Sequence, residues 1–167
     1  TMLLALGYCA KFAPLDTLNS RLEAHIASHF QATFEKFSLT KIDLRDCALN
    51  GLIEISRAIG KKGSKIQLSM RDEFLDTISS WLHELLNKKK VDVEASATTC
   101  SLVLEACASL VAVVPKPDNA VIANVLGNTV GLLGSPFQDD KADVINPVTR
   151  FYGSCVTVSA SREILEM

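Results

Sequence analysis

The 167-residue chain has no apolar run long enough to cross a bilayer, no Cys-x-x-Cys pair and no marked excess of either charge. Its opening, TMLLALGYCAKFAP, is apolar but short, with no basic segment ahead of the greasy residues, so neither a signal peptide nor a membrane anchor is expected there. Lys+Arg 17 against Asp+Glu 19 leaves a net charge of -2. No global field therefore draws the chain to nucleic acid or anionic lipid, and any basic surface must be local. The five cysteines, Cys9, Cys47, Cys100, Cys107 and Cys155, are odd in number and scattered singly, mostly among small or apolar neighbours. That usage suits buried free thiols in a reducing intracellular compartment better than a disulfide framework or a zinc site.

Catalytic signatures are missing as well. There is no Gly-x-Ser-x-Gly elbow, no phosphate-binding glycine loop of the Walker type and no dinucleotide fingerprint. Cys100 and Cys107 stand a heptad apart with no histidine nearby in sequence, and burial raises a thiol pKa rather than activating it. His25 and His29 in EAHIASHF have the i, i+4 spacing of two metal ligands, but a third ligand is lacking, and Glu23 lies off their face. His83 flanks an apolar stripe, and the carboxylate pairs Asp72-Glu73 and Asp139-Asp140 fall at helix starts or in loops, where the helix dipole and solvation explain them. The expectation is a protein that is not an enzyme and that uses no metal or cofactor.

What is present is helical periodicity. Leu15, Leu18, Leu22, Ile26, Phe30 and Phe34 recur every three or four positions, with Pro14 and Asp16 suited to a helix start. Phe74, Leu75, Ile78, Trp81, Leu82, Leu85 and Leu86 form a second stripe that stops at the cationic NKKK. A third helix is expected after Pro117, with Asp118 before it and an end near Gly134-Ser135-Pro136. Between these lie runs richer in Ala, Cys and Ser: LRDCALNGLIEISRAIG, EASATTCSLVLEACASLVAVV and NPVTRFYGSCVTVSAS. Their continuous hydrophobicity fits helices packed on two sides, although the valines of the last also permit a strand.

LALGYCAKF, LVLEACASL and RFYGSCVTV superpose on Cys9, Cys107 and Cys155, and Ser56 takes the same place in LIEISRAI. The long amphipathic segments start near Leu15, Arg71 and Asp118, and the small-residue segments near Lys41, Val91 and Ala142, a period of about fifty residues. In this the chain resembles α-helical repeat proteins of the HEAT or armadillo kind and, more loosely, the degenerate helical repeats of organellar RNA-processing factors. The resemblance covers nearly the whole length and implies an all-α fold of stacked antiparallel helical hairpins, an α-solenoid of about three hairpins opening with half a hairpin. Residues 1–167 then form a single repeat domain, expected to be a fragment of something longer because Thr1 opens inside a helical run. An irregular helical bundle is the alternative.

RAIGKKGSKIQ, Arg57 to Gln67, resembles the Gly-x-x-Gly loop with which KH domains clamp single-stranded RNA. Gly60, Gly63 and the flanking Ile59 and Ile66 match that pattern, and Lys61, Lys62 and Lys65 would supply charge. The simpler reading has Gly60 ending a helix in the left-handed conformation and the lysines answering its negative end. An emphatic helix follows where a KH fold needs strands, which favours the simpler reading. The function expected is a protein-interaction scaffold within a larger complex, self-associating or docked to neighbouring repeats, with no membrane contact. RNA binding through a helical-repeat or KH-like module is the alternative. Candidate contact residues are Lys36, Lys41, Lys88, Lys89 and Lys90 on one edge of the stack, and Gly60, Lys61, Lys62, Gly63 and Lys65 on the other.

Overall fold

The structure, a computed structural model, describes residues 2–36, 42–62, 66–87, 93–130 and 141–158. It is all-α, with no strand among the described residues. The helices are α1 (Met2–Phe12), α2 (Leu15–Arg21), α3 (Ser28–Lys36), α4 (Ile42–Lys62), α5 (Arg71–Asn87), α6 (Val93–Val111), α7 (Asn119–Val130) and α8 (Lys141–Val158). The valine-rich run, where a strand was also allowed, lies in the helix α8 as far as Val158, the last described residue. None of these helices is long and apolar enough to cross a membrane.

Between α2 and α3 the chain does not break; Leu22–Ala27 continues as a π-helical segment. The stripe Leu18, Leu22, Ile26, Phe30, Phe34 explains it. Each four-residue step in an α-helix advances about 40° around the axis, so four such steps cannot stay on one face. The wider π turn takes up that drift. Its effect is a shift of the core position from the expected Ile26, which is half-buried, to Ala27, which is buried with Leu22, Phe30 and Phe34.

The small-residue helices form one row, in which α1 lies against α4, α4 against α6 and α6 against α8. Gly7 and Gly51 bring the α1 and α4 backbones together: a Cβ on Gly7 would stand 2.6 Å from the Gly51 carbonyl oxygen, and one on Gly51 2.5 Å from that of Leu3. Lys62, at the end of α4, donates to the Ala13 carbonyl just past α1 (2.6 Å), so the two helices run in the same direction. Arg45 reaches Thr99 (2.5 Å) while Arg57, farther along α4, reaches Glu105, which gives α4 and α6 a common direction too.

The amphipathic helices α3, α5 and α7 lie on the other side of the core; their described spans are shorter, not longer, than those of α4, α6 and α8. Phe34 of α3 meets Phe74 and Trp81 of α5 edge-on, at centroid distances of 5.8 and 5.4 Å. Asn124 and Asn128 of α7 donate to Asp76 (2.7 Å) and Ser79 (3.0 Å) of α5. Arg71, the first residue of α5, donates to the Val113 carbonyl beyond the end of α6 (3.2 Å), so consecutive α5 and α6 run in opposite directions. Buried apolar side chains from both sides join in one cluster, which includes Leu22, Phe30, Leu52, Leu75, Leu104, Ile122 and Phe151.

Gly60 corrects the sequence reading. It does not end a helix in a left-handed conformation: α4 runs through it to Lys62, and no positive φ occurs there.

The glycines separate by what surrounds them. Gly51→Ala forces α1 and α4 apart and is expected to lower stability by about 1–3 kcal/mol. Gly127→Ala in α7, where a Cβ meets nothing within 4 Å, is expected to raise it by about 0.5–1 kcal/mol. Thermal unfolding followed by circular dichroism should move the two midpoints in opposite directions.

Candidate functional site

The outer side of the α4–α6–α8 row carries a groove of about 610 Å³. Its size lies within the roughly 300–1,000 Å³ typical of ligand sites. Small residues build it: Gly60 from α4, Ala108 and Ser109 from α6, Ala112 just past its end, and Gly153 and Ser154 from α8. A Cβ at Gly60 or Gly153 would meet nothing within 4 Å, so at these two positions the helix backbone itself borders open space.

Three charges border the groove, and they differ in their engagements. Arg57 donates to Glu54 of its own helix (3.1 Å) and to Glu105 of α6, which leaves its side chain 47% exposed. Arg150 of α8 is exposed, and its guanidinium has no hydrogen-bond or ion-pair partner among the described residues. One uncompensated cation therefore stands at the α8 side, opposite a bridged cluster on α4 and α6.

Ser56 completes the lining and is only 1% exposed, yet its hydroxyl has no hydrogen-bond partner among the described residues. Such a group costs about 1–3 kcal/mol when left unmade. The interior elsewhere obeys the rule: Arg45 bonds Asp46 and Thr99, Arg71 bonds Asp72 and the Val113 carbonyl, and Thr129 bonds the Leu126 carbonyl and Tyr152. Ser56 also occupies the position at which the aligned strings carry Cys107 and Cys155, both buried thiols. A thiol is content in an apolar setting; a hydroxyl is not.

A second hollow of about 460 Å³ adjoins the first through their shared Arg57 and is bordered by Lys11, Glu54, Ala58 and Lys61. The candidate residues of the sequence fall as follows. Gly60 and Lys61 border these hollows, whereas Lys62 lines neither, its ammonium donating to the Ala13 carbonyl. Lys36 ends α3, and Lys41, Gly63, Lys65, Lys88, Lys89 and Lys90 lie outside the described residues. Sequence reasoning missed Ser56, Arg57, Glu105 and Arg150. The signal for Ser56 was its place in the cysteine alignment, where it is the one oxygen among sulfurs.

His25, exposed, stands 3.2 Å from an Arg21 nitrogen, and among the described residues no group of three His, Cys, Asp or Glu could hold a metal. Cys9 departs from the expectation of burial and is exposed, and Cys47 is half-buried, while Cys100, Cys107 and Cys155 are buried. Burial pushes the Cys100 thiol up to about 12, partly opposed by the Arg45 charge, and pushes Cys155 to about 12 as well. It pushes Cys107 up too, and the neighbouring Cys155 adds to that.

Thiol labelling checks this arrangement. At pH 8 a maleimide is expected to modify Cys9 first and Cys47 more slowly, leaving the other three until the chain unfolds. Because the folded pKa values of the buried thiols exceed the ordinary value of about 8.5, their contribution to stability is complete below it and is lost as pH rises towards 12. Denaturation midpoints should accordingly fall in that window, and replacing Cys107 by Ala should reduce the slope. Comparison of the chain with protein-family models, with curated proteins and with solved structures finds no match.

Proposed function

We propose that the chain is a protein-interaction scaffold of the helical-repeat kind, an α-solenoid of about three HEAT- or armadillo-like hairpins. One observation carries this reading. Among the described residues, four of the five side-chain bonds between neighbouring helices of the same row recur at nearly one separation in sequence on both sides of the core: 48 for Arg57 and Glu105, 49 for Lys62 and Ala13, 48 for Asn124 and Asp76, and 49 for Asn128 and Ser79, with Arg45 and Thr99 at 54. A repeat of about fifty residues lays each helix on its counterpart in this way. Such stacks offer long surfaces on one layer of helices, and binding resides in the side chains displayed there. Met2, Tyr8 and Phe12 also leave an apolar face of α1 exposed, Phe12 by 82%, which suits contact with a further protein surface.

Protein is favoured over RNA because Gly60 sits inside a helix, Lys62 is engaged by a backbone carbonyl, and Glu54 and Glu105 interrupt the basic side chains around Arg57. A phosphate backbone needs a continuous cationic track.

Filter binding to a random single-stranded RNA pool between about 50 and 200 mM salt tests the choice, because phosphate contacts give a steep fall. Only weak, sequence-independent binding is expected, and Gly60→Asp with Gly63→Asp should change it by less than about twofold. Charge reversal at Lys88, Lys89 and Lys90 should slow association with whatever the chain does bind. Specific RNA binding abolished by the two glycine changes in a folded chain would overturn the scaffold reading.

A further inference from the structure

We propose that the groove across α4, α6 and α8 receives an extended, acidic segment of a partner protein, with one of its carboxylates at Arg150 and its main chain laid over Gly60 and Gly153. This rests on the scaffold reading and adds to it the place and the chemistry of the ligand. Shape comes first. Packed helices stand about 8–10 Å apart, so three in a row span about 16–20 Å, the length of five or six extended residues at about 3.3 Å each. The second hollow prolongs the track past Arg57 towards Lys11 and Lys61. Glycine at two bordering positions lets a main chain approach closely, which a longer side chain would prevent.

Charge selects the sign. Arg150 is without a partner among the described residues, Lys11 and Lys61 are exposed and form no ion pair there, and Arg57 remains half open although bridged to Glu54 and Glu105. The lining of the two hollows is thus net positive on a chain whose net charge is -2. A guanidinium presents a planar fork that matches a carboxylate in bidentate fashion. The two glutamates space the cations apart, which suits isolated carboxylates on a peptide and opposes a polyanion.

Ser56 is the independent sign that something is missing. It borders the groove, it is buried, and its hydroxyl has no partner among the described residues. On a helix, residue i+4 stands over the same face as residue i, and here that residue is Gly60, which offers no side chain to cover it. A main-chain carbonyl or amide of a ligand seated on Gly60 would give Ser56 the bond that the fold does not supply, after a change of its side-chain rotamer.

A phage library of random decapeptides panned on the whole chain tests the proposal. Enriched peptides should carry Asp or Glu and should bind Gly153→Leu and Arg150→Glu at least about tenfold more weakly than the parent chain. Ser56→Ala should weaken them several-fold while its melting midpoint stays level or rises, a combination that a purely structural serine would not give. Gly153→Leu fills open space and replaces a helical glycine, so circular dichroism should show an intact fold. Peptides that bind all variants alike would place the contact elsewhere and overturn the groove while leaving the scaffold reading standing. Enrichment of basic or uncharged peptides, or oligouridylate binding that Gly153→Leu removes, would overturn the ligand chemistry. A chain that enriches no peptide and co-purifies with no protein would remove both readings together.

Discussion

Close approach of neighbouring backbones is the constraint on which this molecule is built. At Gly7 and Gly51 even a methyl group would be driven into a carbonyl. The contact of α1 with α4 can therefore form only with glycine at both positions, and α1, α4 and α6 are rich in Gly, Ala, Ser and Cys. Bulk is supplied from elsewhere. Phe30, Phe34, Phe74 and Trp81 belong to α3 and α5 and fill the space beneath the row. The same economy of side chains continues on the outer side of the row, which is why Gly60, Ala108, Ala112 and Gly153 border a groove and not a ridge.

Polar groups then decide which turns face each other. Arg45 is almost fully buried, yet it meets Asp46 and Thr99, and so ties the start of α4 to α6. Glu23, from the π-helical segment, accepts from the Ser69 amide (2.7 Å) and hydroxyl (2.5 Å), holding the connection that leads into α5. Asn124 and Asn128 perform the same service between α5 and α7. Apolar contact alone permits helices to slide by a turn, whereas directional bonds of this kind do not. Against that background a buried hydroxyl with no partner, as at Ser56, stands out as a departure from the rule.

The helical class and the helix positions were legible in the sequence because stripes at three and four residues leave little freedom. The starts near Arg71 and after Asp118 agree with α5 and α7, and α5 ends at Asn87, the first residue of NKKK. The π-helical segment was legible in principle, since four successive four-residue steps overrun one face, but the pattern was read as a regular helix. Gly60 misled for a different reason. Glycine followed by lysines is a strong terminator signal, yet a helical glycine with an open outer side satisfies the same letters. The groove was not legible, because it joins residues of three helices about fifty apart, and no local pattern reports that Arg150 lacks a partner or that a serine replaces a thiol.

Trp81 is the only tryptophan in the chain, and it is buried edge-on against Phe34 where α3 meets α5. The molecule thus carries a single indole, which can be excited apart from its two tyrosines and sits at the contact between α3 and α5. Shielded from water, the indole emits towards the blue, and its spectrum shifts to the red only when that contact admits solvent. A separation of α3 from α5 with the remaining helices intact would be visible optically as a change in emission at constant ellipticity, distinguishing local opening from global unfolding without any added label.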